Sequence, residues 1–212
     1  MAFSNMQIGA LIRSYGLTDH LDAVLKSYSW VNKILIMNYR FKDVSPREDK
    51  TIIISEKYPN TYIRSGENLN QHEVYNLGLE DFKGFDCVFI ADNDELISPQ
   101  DQKKVIETLR GNNGVVGTLV EYARDYEHIY PIRGHKPIIA VHPDTRFYEV
   151  RCAGGSNKQS DVFVHHFGYV YKDEDLDWKL SWERKWEGDN INNIICQLPQ
   201  RYEMPEEIRN ML

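Results

Sequence analysis

Two aspartates separated by one residue, Asp92 and Asp94, follow directly after an apolar stretch, Phe85 to Ala91. That stretch is apolar on both faces, which is typical of a strand buried within a parallel sheet. Ligands gather beyond the carboxyl ends of such strands, where two carboxylates can share a divalent cation and the cation can hold a diphosphate. In the alternative interpretation, both aspartates bond backbone amides in a turn.

The residues around these aspartates distinguish their loop from other acidic stretches. Asp-x-Asp also occurs between Asp173 and Asp177, where we expect a solvated turn, so the spacing alone is not specific. After the loop, Ser98 to Asp101 provides an N-cap, a proline at the first helical position and then an acid. The loop is therefore predicted to lie between a buried strand and a well-capped helix. Glu95 is either an outer partner of the site or a solvated charge.

A second chemical feature is the pair His165 and His166, at the end of the predicted strand Val162 to His166. A neutral imidazole there could complete the coordination of a cation held by Asp92 and Asp94. Strand alternation places the two rings on opposite faces. The histidine that is not a ligand is therefore expected to be a hydrogen-bonded core residue.

The elements that must position these residues alternate between strand and helix in the first half of the chain. Apolar runs predict strands at Ile8 to Ile12, Val31 to Met37, Thr51 to Ser55, Thr61 to Arg64 and Phe85 to Ile97. Helical periodicity predicts a helix capped by Thr18 or Asp19, one over Gln71 to Lys83, and one from Pro99 to Gly111. Strands joined by crossover helices pair in parallel, so their carboxyl ends share one edge.

After the strand predicted over Val115 to Val120, the alternation stops. Shorter strands are predicted at Pro137 to Val141, Phe147 to Arg151 and Val162 to His166, and we expect them to extend the sheet as mixed strands. Trp178, Trp182 and Trp186 recur at helical spacing and predict a helix that packs on the body. The fold class predicted is α/β, with one mostly parallel, mixed sheet flanked by helices.

The composition bounds the function classes. With 212 residues and 42% hydrophobic content, the chain can bury one substantial core, and no linker divides it. A net charge of −7 argues against a surface that binds nucleic acid throughout, although a local basic groove stays open. The three cysteines lack Cys-x-x-Cys spacing, and no signal peptide or apolar run of membrane-spanning length is evident. We therefore expect a cytoplasmic protein without a membrane span.

These motifs resemble those of family 2 glycosyltransferases, nucleotide-sugar enzymes with a single Rossmann-like GT-A domain. The resemblance runs from Ile8 to about Trp186 and is carried by the order and spacing of its parts. Those parts are the opening strand and helix, Asn76-Leu77-Gly78-Leu79 before the loop, Ala91-Asp92-Asn93-Asp94-Glu95 as the Asp-x-Asp motif, and His166-Phe167-Gly168-Tyr169 as the late histidine motif. The resemblance implies one domain over 1–212, with a nucleotide-sugar half (about 1–97), an acceptor half (about 98–187) and a tail (188–212).

The resemblance implies a role for each candidate residue. Asp92, Asp94 and His166 would hold Mn²⁺ or Mg²⁺ against the diphosphate of the donor, most simply a UDP-sugar. Arg13, Tyr15 and Asn38, together with Asp92, sit where such folds receive the nucleotide; the alternative is that Arg13, Tyr15 and Asn38 are ordinary polar loop residues. Glu149, in Tyr148-Glu149-Val150, is the candidate base that takes the proton from the acceptor hydroxyl in an inverting transfer, or else an ordinary surface acid.

The same fold is compatible with two other functions, and the identity of the acceptor stays open. The chain could be a non-catalytic nucleotide-sugar binding protein, or a phage-type transferase that glycosylates modified DNA bases instead of a saccharide. A nucleotidyltransferase would need a glycine-rich loop after the first strand, which Ile12 to Gly16 is not. Basic residues of the middle region could receive an anionic acceptor or form a scattered, solvated surface: Arg124, Arg133, His135, Lys136, Arg146, Arg151 and Lys158.

Overall fold

The computed structural model describes residues 5–41, 44, 47–131, 136–149, 151–187 and 199–212. Its strands are β1 (Ile8–Ser14), β2 (Lys33–Phe41), β3 (Thr61–Leu69), β4 (Cys87–Asp92), β5 (Glu95–Leu96), β6 (Gly114–Ala123), β7 (His128–Ile129), β8 (Ile138–Val141), β9 (Phe147–Glu149), β10 (Cys152–Ala153), β11 (Asn157–Tyr169) and β12 (Gln200–Arg201). Its helices are α1 (Leu21–Ser27), α2 (Thr51–Ser55), α3 (Gln71–Leu79), α4 (Pro99–Leu109), α5 (Asp173–Glu187) and α6 (Glu206–Arg209).

Ten of the described strands form one mixed sheet, in the order β12-β7-β6-β8-β4-β1-β2-β3, with β11 beside β6 and β5 beside β11. The pairs β1–β2, β1–β4, β2–β3 and β6–β11 are parallel. The predicted α/β class with a mixed sheet is confirmed. Of the three shorter strands predicted to extend the sheet as mixed strands, β8 joins it between β4 and β6, antiparallel to both, and β11 joins it beside β6. The prediction is wrong for β9, which pairs only with β10 in a separate two-stranded sheet.

The position of β1 creates the crevice in which a ligand is expected. The chain runs from β1 outward to β2 and β3 and then returns to place β4 on the other side of β1. This reversal opens a crevice at the carboxyl ends of β1 and β4. The register places Arg13 opposite Asp92, and Ser14 opposite Asn38 on β2. The polar residues predicted from strand ends are thus brought to one edge.

Helices cover both faces of the sheet because β1 and β2 are apolar on both sides. Ile12 and Ile34 belong to the core cluster that includes residues of α1 and α4, whereas Leu11 and Leu35 belong to the cluster that includes residues of α3. Gly78 of α3 is required by this packing, since an added Cβ would lie 2.5 Å from Leu11 Cδ1. The glycine that weakens helix propensity is therefore the one that lets α3 approach β1.

The segment Thr51–Ser55 was predicted as a strand and is helix α2. Asp49 accepts a hydrogen bond from the Thr51 backbone at 2.8 Å, which starts a helical turn, and Thr51 Oγ1 bonds Ser14 Oγ at 2.9 Å. Ile52 and Ile53 are exposed. Tertiary anchoring at the first residue thus overrides the β propensity of the isoleucines.

Two helix starts differ in how well the sequence predicts them. Ser98 caps α4 as predicted, accepting the Asp101 backbone N–H at 3.1 Å. The predicted cap of α1 is wrong: the N-cap residue is His20, whose side chain makes no cap bond. His20 is instead buried, stacked on Phe167 with ring centroids 5.2 Å apart. The packing of its ring, and not a capping hydroxyl or carboxylate, fixes this turn.

Helix α5 confirms the helix that the tryptophan spacing predicts. The solvated turn predicted over Asp173 to Asp177 is wrong, because these residues belong to the helix. The acids from Asp173 onward form the first turn of α5, where negative charge is favoured by the helix dipole. Trp178 is half-buried against the core, and the side chains of Trp182 and Trp186 lie outside the described residues. No helix in the described part of the chain is long and apolar enough to cross a membrane.

Candidate active site

The acidic loop, residues 92–95, lies at the crevice between β1 and β4. Asp92 is held by cationic and phenolic donors: Arg13 Nη2 at 2.5 Å from its Oδ2 and Tyr75 Oη at 3.0 Å from its Oδ1. Burial lowers the pKa of the Arg13 guanidinium, whereas the negative charge of Asp92 raises it. The net result is a pKa above the ordinary value for arginine. The guanidinium is therefore permanently charged at the edge where a diphosphate is expected.

Glu95 forms a buried ion pair with Arg151 beneath the loop. Their side chains are only 5% and 4% exposed, and Glu95 also accepts the Asp92 backbone N–H at 3.1 Å. Arg151 donates its remaining hydrogen bonds to the carbonyls of Ile138 and Ile90, at 2.9 and 3.1 Å. Glu95 is thus an outer partner that fixes the loop, and the alternative of a solvated charge is wrong.

Asp94 is buried and faces α5 and the end of β11. Lys179 Nζ lies 3.1 Å and Tyr171 Oη 3.3 Å from its Oδ2, while His166 Nε2 lies 3.6 Å from its Oδ1. Burial by itself raises the pKa of the Asp94 carboxyl, but Lys179, His166 and His20 more than offset this and hold the pKa well below its usual range. Asp94 is therefore ionised.

His166 stands between two carboxylates. Its Nε2 faces Asp94, and its Nδ1 lies 3.8 Å from Glu121 Oε1 on the paired strand β6. Its Nδ1 is buried and makes no hydrogen bond. A metal-binding imidazole commonly donates its second ring N–H to a carboxylate, and Glu121 lies behind the His166 ring at a distance longer than such a hydrogen bond.

The donors fit part of the coordination of a divalent ion. Asp94 Oδ1 and His166 Nε2 provide oxygen and nitrogen donors that suit Mn²⁺. Asp92, the third predicted ligand, is turned to Arg13 and Tyr75 instead. Within the described residues, no three His, Cys, Asp or Glu side chains lie close enough together to form a metal-binding group. The structure thus brings together Asp94 and His166 of the predicted set.

His165 occupies the opposite face of β11, as strand alternation predicts. Its Nδ1 lies 3.0 Å from Tyr122 Oη, and the ring is buried. Burial lowers the pKa of His165 to about 4, so the ring is neutral near pH 7. This histidine is a core residue.

The two histidines should respond differently to truncation. We expect His166→Ala to weaken Mn²⁺ binding, because its ring faces Asp94, and to leave the core intact. We expect His165→Ala to leave Mn²⁺ binding unchanged and to lower the free energy of unfolding by about 1–3 kcal/mol, because Tyr122 loses its buried partner. Calorimetric Mn²⁺ titration and urea unfolding of both variants measure the two effects. The reverse order of Mn²⁺ affinities would contradict the assignment.

The other predicted residues lie on three different elements. Tyr15 directly follows β1, whereas Asn38 lies within β2 opposite Ser14, because β2 continues to Phe41 beyond the predicted strand end; both are half-buried. Glu149 is exposed in the hairpin β9–β10, opposite Cys152. That hairpin is tied to α3 by Asn76, which exchanges bonds of 2.8 and 2.9 Å with the backbone of Phe147. Glu149 thus stands between the Asn76 anchor and the buried Arg151.

Several groups of this site were not predicted as site residues, among them Tyr75, Arg151, Tyr171 and Lys179. Tyr75 lies within the helix predicted over Gln71 to Lys83, and Arg151 is one of the basic residues predicted either to receive an anionic acceptor or to be solvated. Arg151 is buried and paired with Glu95, so that expectation is wrong for it. Four of the others are exposed, namely Arg124, Lys136, Arg146 and Lys158, whereas Arg133 and His135 lie outside the described residues.

Known structures share this fold, although no family model and no curated protein matches the sequence. TarS 1–349 of S. aureus matches with a TM-score of 0.51 and 11% identity, over 91% of this chain and 76% of that chain. A second match is glucosyl-3-phosphoglycerate synthase of Mycobacterium tuberculosis in complex with Mn²⁺, UDP-glucose and phosphoglyceric acid. Its TM-score is 0.45 and its identity 14%, over 55% of this chain and 45% of that chain. TarS 1–349 in complex with UDP-GlcNAc matches with a TM-score of 0.45 and 14% identity, over 57% of this chain and 36% of that chain.

The match to TarS 1–349 extends over 91% of this chain and shows the fold, which is the predicted GT-A fold. This chain spans less than half of the mycobacterial synthase.

Proposed function

We propose that this protein is a glycosyltransferase that moves a sugar from a nucleoside-diphosphate sugar, most simply a UDP-sugar, to a hydroxyl acceptor. One observation carries the proposal: at the crevice of a GT-A fold, Asp94 Oδ1 lies 3.6 Å from His166 Nε2. These two groups come from distant parts of the chain, and they are the metal-binding pair that the Asp-x-Asp and late histidine motifs imply.

In the proposed site, each residue acts through the position that it occupies. Asp94 and His166 hold Mn²⁺ or Mg²⁺, which neutralises charge on the leaving diphosphate when it is bound. Arg13, fixed by Asp92, presents a permanent positive charge beside the same edge. Tyr15, directly after β1, and Asn38, opposite Ser14 on β2, are the proposed contacts of the nucleotide.

Glu149 remains the proposed base for the acceptor hydroxyl, and the transfer is proposed to invert the anomeric centre. Its exposed carboxylate is open to an acceptor, and its hairpin is anchored on both sides, by Asn76 and by Arg151. A saccharide acceptor is preferred over DNA because burial of Arg151 removes one of the basic residues that a DNA-binding surface would use. One domain over 1–212 and the cytoplasmic location stay predictions.

Nucleotide sugars screened by thermal shift, with and without Mn²⁺, test the proposal. We expect one donor to raise the melting temperature more with Mn²⁺ than without it, and Asp94→Asn to remove that difference because the ion loses its anionic ligand. Each variant is compared with its own unliganded melting temperature, since Asp94 also pairs with the buried Lys179. Asp161→Asn, at an exposed position on β11, is the matched control. An equal Mn²⁺-dependent shift in wild type and Asp94→Asn would refute the metal site. If a donor stabilises the protein but a separate assay finds no turnover of that donor, the chain is a nucleotide-sugar binding protein.

A further inference from the structure

Among the residues that the structure describes, Lys179 of α5 is the cation nearest to the carboxylate that is proposed to hold the metal. Its Nζ lies 3.1 Å from Asp94 Oδ2, and its side chain is 9% exposed. The ammonium also lies 5.5 Å and 5.6 Å from the ring centroids of Tyr169 and Tyr171. Ion pairs on the surface are weak, but a buried carboxylate depends on its counter-charge. Lys179 is therefore part of the electrostatics of this site.

The chain is built to admit this lysine and the imidazole together. Gly168 lies between them: an added Cβ there would contact the His166 ring and would come within 2.6 Å of Lys179 Nζ. With glycine at this position, the Lys179 ammonium faces Oδ2 of Asp94 and the His166 ring faces Oδ1. A side chain larger than glycine would displace one of them.

A divalent ion at Asp94 would face the ammonium of Lys179 at short range. Like charges in a site of low dielectric repel strongly, and one carboxylate cannot satisfy both fully. The lysine stabilises the ionised carboxylate in the protein without metal, and the same charge weakens the binding of an ion.

We propose that Lys179 is the resident counter-cation of Asp94 and that it sets the metal affinity by competing with the divalent ion for this carboxylate. The inference rests on the proposed function for the identity of the metal site. It adds a positioning residue whose charge, and not its shape, controls how readily the ion binds. Removing the charge should then strengthen metal binding, which is the opposite of what loss of a structural side chain would do.

Calorimetric titration of Mn²⁺ into the full chain without donor, at one fixed pH, tests this. We expect Lys179→Met, which keeps the length and removes the charge, to bind Mn²⁺ about tenfold tighter or more than wild type. Lys179→Arg keeps the charge and should bind as wild type does. Lys103→Met, at an exposed position on α4, is the control for loss of a positive charge elsewhere and should leave the affinity unchanged.

The outcomes separate this inference from the proposed function. Equal or weaker Mn²⁺ binding by Lys179→Met overturns the competition, as does tighter binding by Lys103→Met to the same extent. If Asp94→Asn binds Mn²⁺ as wild type does, the ion lies elsewhere and the proposed metal site fails as well. Loss of binding in Asp94→Asn with no change in Lys179→Met overturns only the role of Lys179. Lys179→Gln, which keeps a hydrogen-bond donor, replaces the methionine variant if the latter does not fold.

Discussion

Arg151→Met should lower the free energy of unfolding by about 3–5 kcal/mol, the usual cost of removing one partner from a buried ion pair. The substitution leaves the Glu95 carboxylate, which is 5% exposed, without its cation. It also removes the donors to the carbonyls of Ile90 and Ile138. Because Glu95 accepts the backbone N–H of Asp92, the loss reaches the acidic loop itself. Urea unfolding followed by circular dichroism measures the change.

Two comparisons isolate the ion pair from other effects of losing an arginine. Arg146→Met removes the same side chain from an exposed position nearby and should change the unfolding free energy by less than about 0.5 kcal/mol. Glu95→Gln combined with Arg151→Met should cost less than the sum of the single changes, since the buried charge is then gone. A loss below about 1 kcal/mol in Arg151→Met would mean that Glu95 finds another partner or water.

The parts of the site that lie at strand ends could be predicted, because strand order alone places them. Asp94 and His166 are 72 positions apart, yet Asp94 follows the buried strand β4 and His166 lies near the end of β11, which runs in the same direction as β4. The antiparallel pairing of β5 with β11 then brings the two side chains together. The cation partners could not be predicted in this way. Arg151 reaches the loop from a hairpin outside the main sheet, and Lys179 reaches it from a helix. No spacing in the sequence encodes either contact.

Local pattern also failed where tertiary contacts decide the backbone. Thr51 to Ser55 has the composition of a strand, but Asp49 and Ser14 hold its first residue in a helical turn. His20 begins α1 although Thr18 and Asp19 are the better capping residues, because its ring packs against Phe167. In both cases a long-range contact, from Ser14 to Thr51 and from Phe167 to His20, outweighs several tenths of a kcal/mol of local preference.

Each acid of the loop is paired with a cation. Arg13 pairs with Asp92, Lys179 with Asp94, and Arg151 with Glu95. The loop is therefore compensated before any ligand arrives, and a substitution in it changes stability together with binding. Glu149 lies outside this network of ion pairs, since its carboxylate is exposed. A change there can be attributed to chemistry with less interference from folding.

Glu149→Gln should lower turnover by about two to four orders of magnitude and leave donor and Mn²⁺ affinity nearly unchanged. A general base is needed only when the acceptor hydroxyl loses its proton, and the amide keeps the size and the hydrogen-bonding reach of the carboxylate while it cannot take the proton. Donor affinity by calorimetry and turnover at saturating donor and acceptor separate the two quantities. The unfolding free energy should stay within about 0.5 kcal/mol of wild type, because the side chain is exposed.

Glu121→Gln is the comparison that decides between two carboxylates. Glu121 Oε1 lies 3.8 Å from His166 Nδ1, so its amide variant should weaken Mn²⁺ binding through the histidine and change turnover of the metal-saturated protein much less. Full activity in Glu149→Gln together with a loss of turnover in metal-saturated Glu121→Gln would transfer the role of base to Glu121. If Glu149→Gln binds donor more weakly but the bound complex turns over at the wild-type rate, Glu149 is a binding residue. A base is distinguished from a binding contact because it alone takes the proton of the acceptor.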